Sequence, residues 1–165
     1  MRARQAAGFS LVELMIALAV LAIVVAVALP SFQGSLRSNR VTSTTNELMA
    51  SISLARSEAL RNPNGAVLCT TTDGVACGGT WNDGWMVWID VDGDGNPGGP
   101  NDRVLRHVQA KQQMDVTATS PGGAAFANRI AFDHRGRANQ HTRTVTIRPD
   151  TCPTGGPFVR TLHLS

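Results

Sequence analysis

At 165 residues the chain has room for one modest domain and excludes two, and an opening hydrophobic segment takes part of that length. The folded remainder is small enough that its stability is expected to need neighbours or a cross-link. The formal charge of +3 is unevenly spread: Asp83, Asp90, Asp92, Asp94 and Asp102 fall in a stretch without Lys or Arg, while Arg129, Arg135, Arg137, Arg143, Arg148 and Arg160 crowd the last third, so the folded part reads as dipolar.

From Phe9 to Leu29 only Ser10 and Glu13 interrupt an apolar run. At the rise of an α-helix this run is about 31 Å long, enough to cross a bilayer core. An ordinary secretory signal would end at a small-residue cleavage site, whereas Ala26 to Ala28 lead into Pro30 and a further helical pattern. Arg2 and Arg4 precede the run and the next basic residue is Arg37, so the positive-inside rule places the N-terminus in the cytoplasm and the rest in the periplasm. A carboxylate within a span is costly unless paired, neutralised or close to the interface, which makes Glu13 a functional candidate.

The run Gly8-Phe9-Ser10-Leu11-Val12-Glu13-Leu14 resembles the class III signal of type IV pilins and type II secretion pseudopilins. The resemblance implies cleavage by prepilin peptidase between Gly8 and Phe9, N-methylation of Phe9, and pairing of Glu13 with the Phe9 amine of a neighbouring subunit. Pro30 falls where these proteins commonly interrupt the helix. The expected organisation is a leader over residues 1–8, a membrane and assembly helix over 9–29, an amphipathic continuation over 30–62 and a β-rich head over 63–165.

After Pro30 the rhythm stays helical: Val41, Thr45, Leu48, Ile52, Ala55 and Ala59 recur at spacings of four and three, so one stripe faces a core. Pro30 and Gly34 weaken the junction, where a kink or a local melt is expected. Asn62-Pro63-Asn64-Gly65 ends the helix. Short β-prone runs then follow at Ala66–Thr71, Trp85–Ile89, Arg103–Val108, Met114–Thr119, Arg129–Phe132, Thr142–Arg148 and Phe158–Leu164. Helix first and strands afterwards predicts an α+β fold, the helix packed across a mostly antiparallel sheet. Arg56-Ser57-Glu58-Ala59, Trp81-Asn82-Asp83-Gly84-Trp85, Asp90-Val91-Asp92-Gly93-Asp94-Gly95-Asn96 and Ile130-Ala131-Phe132-Asp133-His134-Arg135-Gly136, in that order, resemble the GspH/FimT family of minor pilins.

Asp90, Asp92 and Asp94 with Gly95 match the opening of an EF-hand calcium loop, but position 12 would be Asn101 and the flanks read as strands, so an acidic turn is the competing account. Cys69 and Cys77 bracket a short turn-rich segment in a compartment where disulfides persist, which favours a bridge between them and leaves pairing of Cys152 with either one open. The four histidines lack metal-ligand spacing and no nucleophile elbow or phosphate loop is present, so neither an enzyme nor a cofactor is expected. FimT-type members that serve DNA uptake carry a basic C-terminal Gly-Arg-x-Arg, whereas Gly136-Arg137-Ala138-Asn139 lacks the second arginine. A patch of Arg135, Arg137, Arg143, Arg148 and Arg160 nevertheless keeps DNA as an alternative partner. The primary expectation is a subunit of a type IV pilus or a type II secretion pseudopilus, with other pilins, prepilin peptidase and the inner membrane as partners.

Overall fold

The computed structural model describes residues 9–119, 128–138, 143–151 and 158–164, without the side chains of residues 30, 31 and 143. One helix, α1 (Leu11–Ala59), precedes seven strands: β1 (Ala66–Thr70), β2 (Gly84–Ile89), β3 (Arg103–Gln109), β4 (Met114–Thr119), β5 (Arg129–Phe132), β6 (Arg143–Pro149) and β7 (Arg160–Leu164). The chain divides into two units, Met1–Ser38 and Asn39–Ser165. In the first, every residue from Phe9 to Leu29 is exposed, whereas a helix that is apolar all round calls for burial, which nothing among the described residues supplies. Helical structure continues through Pro30 and Gly34, so the melt expected there is not present. Proline removes one backbone donor and glycine costs about 1 kcal/mol, and a helix already nucleated on both sides absorbs both.

In the second unit, the head, the stripe on α1 is buried as its spacing requires: Val41, Leu48, Ala55 and Ala59 are in the core and Ile52 packs against it. Thr45 and Ser51 are buried on the same side because their hydroxyls donate back to the carbonyls of Val41 (2.7 Å) and Glu47 (2.8 Å). The helix ends where Asn62 donates its side-chain amide to the Glu58 carbonyl (2.8 Å). Gly65 then turns the chain with φ of 88°, and a Cβ there would lie 2.0 Å from the Phe132 carbonyl oxygen, so only glycine fits.

The strands form two antiparallel sheets, β3-β2-β1-β5 and β4-β6-β7, rather than the one expected. Strand propensity marks where strands are but not which strand each will pair with. The chain leaves the first sheet at Ala110–Gln113, where Gln113 takes φ of 62°, and begins the second at Met114. Asn82 links the sheets: its side-chain oxygen accepts from the Val116 backbone N–H at 2.6 Å.

β1 and β2 are buried on both faces. Leu68, Trp85 and Val87 face the main core with α1, together with Val116, Val145 and Ile147 of the second sheet. Val67, Cys69, Met86 and Trp88 form a small second core on the other face. A bulge shifts the pairing so that Val87 faces Arg106 and Trp88 faces Val104, leaving Leu105 as the extra residue on β3. The fold is therefore α+β and pilin-like, a long N-terminal helix packed on antiparallel sheet.

Candidate functional site

The first candidate is the start of α1. Ser10 accepts the first helical hydrogen bond, from Leu14 N–H at 3.1 Å, and places Glu13 in the first turn. That turn carries the positive end of the helix dipole, which favours a carboxylate. Phe9 is 80 % exposed, and the apolar surface after it has no partner among the described residues. The segment is long and apolar enough to cross a membrane. Gly8 lies outside the described residues, as does the Pro30 side chain.

Cys69, fully buried in β1, is joined to Cys77 with the Cα atoms 5.7 Å apart. The loop this closes is also tied by Gly78 N–H donating to the Thr70 carbonyl and by Asp73, whose carboxylate accepts from the Val75 and Ala76 amides. Those two amides, Val75 first, hold the Asp73 pKa below its ordinary value. Cys152 lies outside the described residues.

The acidic stretch joins β2 to β3. Asp90, buried at 7 % exposure, accepts from Gly93 N–H (2.7 Å) and Gly95 N–H (3.1 Å). Asp92 accepts from Asp94 N–H and Asp94 from Asn96 N–H. The sequence count to Asn101 missed Asp102, which closes the loop by accepting from Val91 N–H (2.9 Å) and Gly99 N–H (3.0 Å). One oxygen from each of the four carboxylates lies within 4.8 Å of the others. Each carboxylate serves an amide of the loop itself, which is the work of an acidic turn.

The five candidate arginines lie in two places. Arg135 and Arg137 sit in the turn after β5, where the Asp133 carboxylate accepts from both backbone N–H groups (2.9 Å each) and pairs with the Arg137 guanidinium at 3.1 Å. Arg148 pairs with Asp115 of β4 at 2.6 Å. Arg160 is exposed and stands opposite Ile147, so alternation puts it on the other sheet face from Arg148. The Arg143 side chain is outside the described residues. The expected charge dipole is also not met. Ala66 pairs with both Ile89 and Phe132, so the acidic loop and the Arg135–Arg137 turn leave the same end of the sheet.

The Arg137 N–H above all, with the Arg135 N–H and the Arg137 guanidinium, outweighs partial burial and holds the Asp133 pKa below its ordinary value. A depressed carboxylate pKa stabilises the folded turn above the unfolded value of about 4, and that contribution is lost as pH falls through the folded value. Protection of the Arg135 and Arg137 amides, taken relative to the intrinsic exchange rate at each pH, is therefore expected to fall in acid below about pH 4. In Asp133→Asn this acid step should vanish, and a step that persists would show that another group drives it.

The Prokaryotic N-terminal methylation motif matches residues 3–29, and the family described as Type II transport protein GspH matches residues 44–165. No curated protein matches the chain. Among solved structures, the type IV minor pilin FimU of Pseudomonas aeruginosa (strain PAO1) is similar in fold, with a TM-score of 0.51 and 22 % identity over 77 % of this chain and 83 % of that one. With the methylation motif over the exposed apolar helix and the GspH match over most of the head, the chain belongs to the GspH/FimT family of pilin-like minor pilins and pseudopilins.

Proposed function

We propose that this chain is a structural and assembly subunit, not an enzyme, of a type IV pilus or a type II secretion pseudopilus. Prepilin peptidase cuts the precursor between Gly8 and Phe9, and Phe9 is N-methylated. The Phe9–Leu29 segment holds the subunit in the inner membrane as a single span, N-terminus cytoplasmic and head periplasmic, until it enters the filament. There Glu13 meets the Phe9 amine of a neighbour. The observation that supports this most is the exposed apolar run under the methylation motif with Glu13 in its first turn. A surface of that size in water is unfavourable, and both lipid and a bundle of like helices would cover it. The assembly role is adopted over DNA binding because Arg137 and Arg148 already face carboxylates and Arg148 and Arg160 lie on opposite faces of their sheet.

Mass spectrometry of protein extracted from membranes of cells with prepilin peptidase is expected to find a methylated Phe9 as the first residue. An intact Met1 terminus in those cells would refute the processing step. Gly8→Val should block cleavage, because a bulky side chain replaces the residue at the scissile bond.

A further inference from the structure

We propose that Cys77 is a thiol–disulfide exchange site, the sulfur through which disulfide oxidants and dithiol reductants make and open the Cys69–Cys77 bond. The turn around Thr71 and Asp73 holds it against the buried Cys69 in both states. The two sulfurs are not equivalent. Cys69 is inside β1, has no exposed surface and packs with Val67, Met86 and Trp88 in the second core. Cys77 lies in the loop after β1, half-buried, and packs against that core from outside. In thiol–disulfide exchange access decides which sulfur a reagent meets, and of the two Cys77 offers that access.

What places Cys77 is a set of hydrogen bonds that do not depend on the sulfur bond. The residues that follow the two cysteines are joined directly, Gly78 N–H donating to the Thr70 carbonyl at 2.9 Å. The residue before Cys77 is tied as well: the Thr71 hydroxyl donates to the Ala76 carbonyl at 2.7 Å. The same hydroxyl oxygen accepts from Gly74 N–H at 2.9 Å, and the Asp73 carboxylate accepts from Val75 N–H (2.8 Å) and Ala76 N–H (3.1 Å). Thr71 has no exposed surface, so its bonds form where water competes little. At the tip, Gly74 takes φ of 76° and lies on the His107 ring of β3, where a Cβ would stand 2.6 Å from Nδ1. The turn is therefore anchored to β1 at its base and to β3 at its tip.

In oxidation the Cys77 thiol gives up its proton and its thiolate attacks one sulfur of a disulfide oxidant, expelling the other as a thiolate. The Cys69 thiolate then attacks the Cys77 sulfur of the mixed disulfide and expels the second half of the oxidant. Two protein thiols have lost two protons and two electrons, and the oxidant's disulfide has become two thiols. Opening runs in reverse: a thiolate of a dithiol bonds to the Cys77 sulfur, Cys69 leaves as a thiolate and takes a proton, and the second thiol of the reductant closes on the first to release Cys77. Cys69 meets only Cys77 in either direction, so the second core stays shut throughout.

The test uses the full chain in detergent micelles with Cys152→Ser, so that only Cys69 and Cys77 remain. Glutathione disulfide is the oxidant, and mass spectrometry after an acid quench is the readout. Adding Cys69→Ser leaves Cys77, which should take up glutathione at least tenfold faster than Cys69 does when Cys77→Ser is added instead. In urea that unfolds the head the two rates should converge. With both cysteines present, Asp73→Ala and Thr71→Val should each slow closure of the disulfide at least tenfold with unchanged circular dichroism. Equal uptake by the two folded single-cysteine chains, or a difference that survives unfolding, would overturn Cys77 as the exchange site. Parental closure rates in both turn variants would overturn the part given to the turn. A measurement on the reduced parent needs no cysteine-to-serine change in the pair: brief exposure to glutathione disulfide, rapid alkylation and peptide mapping should find the first glutathione on Cys77, and finding it on Cys69 would overturn the proposal.

Discussion

Trp85→Ala is expected to cost the head about 3–5 kcal/mol, the range for emptying a fully buried aromatic site. Trp85 has no exposed surface and lies in the main core between the first sheet and α1, where its indole N–H donates to the Ser51 hydroxyl at 3.0 Å. Ser51 keeps its own bond to the Glu47 carbonyl after the substitution, so the loss is chiefly of packed volume. Domains of this size hold only about 5–15 kcal/mol of total stability, so the variant should stand close to its unfolding threshold. Trp85→Phe separates the contributions: most of the ring remains, the hydrogen bond goes, and a loss of about 1–2 kcal/mol is expected. Urea titration followed by fluorescence of Trp81 and Trp88 reads both variants, and equal midpoints for wild type and Trp85→Ala would refute the core placement.

The helix and its buried stripe were legible because a period near 3.6 leaves a pattern that few other structures share, and Val41, Leu48, Ala55 and Ala59 are at the positions it required. The strand segments were equally plain, bounded by Gly, Asn, Asp and Pro. What propensity did not carry was pairing. Division into two sheets depends on long-range contacts such as Asn82 with Val116, and one asparagine in a turn gives no hint of a strand more than thirty residues away. The same limit hid the geography of charge. Acids and arginines separated by tens of residues looked like opposite poles, yet Ala66 brings Ile89 and Phe132 to one end of the sheet. Asp102 was missed in the acidic loop for a related reason: counting along a calcium-loop template ended one residue short, at Asn101, whereas the structure closes its turn by hydrogen bonding.

Glu13→Ala is expected to leave membrane insertion intact or improve it, while recovery of the protein in filaments falls by tenfold or more. The substitution removes the carboxylate from the apolar run of α1, and a carboxylate at the centre of a span costs about 2.5–3.5 kcal/mol on insertion scales, less near the interface. Insertion alone would therefore favour alanine. The wild-type carboxylate gains its value only if something of opposite charge meets it away from water, and the proposed partner is the Phe9 amine of the next subunit. Without Glu13 that amine is left unpaired in an apolar bundle, and truncating one partner of a buried ion pair typically costs 3–5 kcal/mol because of the charge left behind. Each 1.4 kcal/mol is a factor of ten in an equilibrium constant, so even a third of that cost gives a clear deficit. Glu13→Gln keeps size and polarity without the charge, and it should assemble poorly as well if charge is what matters. The measurement is the ratio of subunit in sheared or reconstituted filaments to subunit in membranes, compared across wild type and both variants. Equal ratios would refute the pairing with Phe9, and normal assembly of Glu13→Gln alone would replace the ion pair with a hydrogen bond as the contact that Glu13 makes.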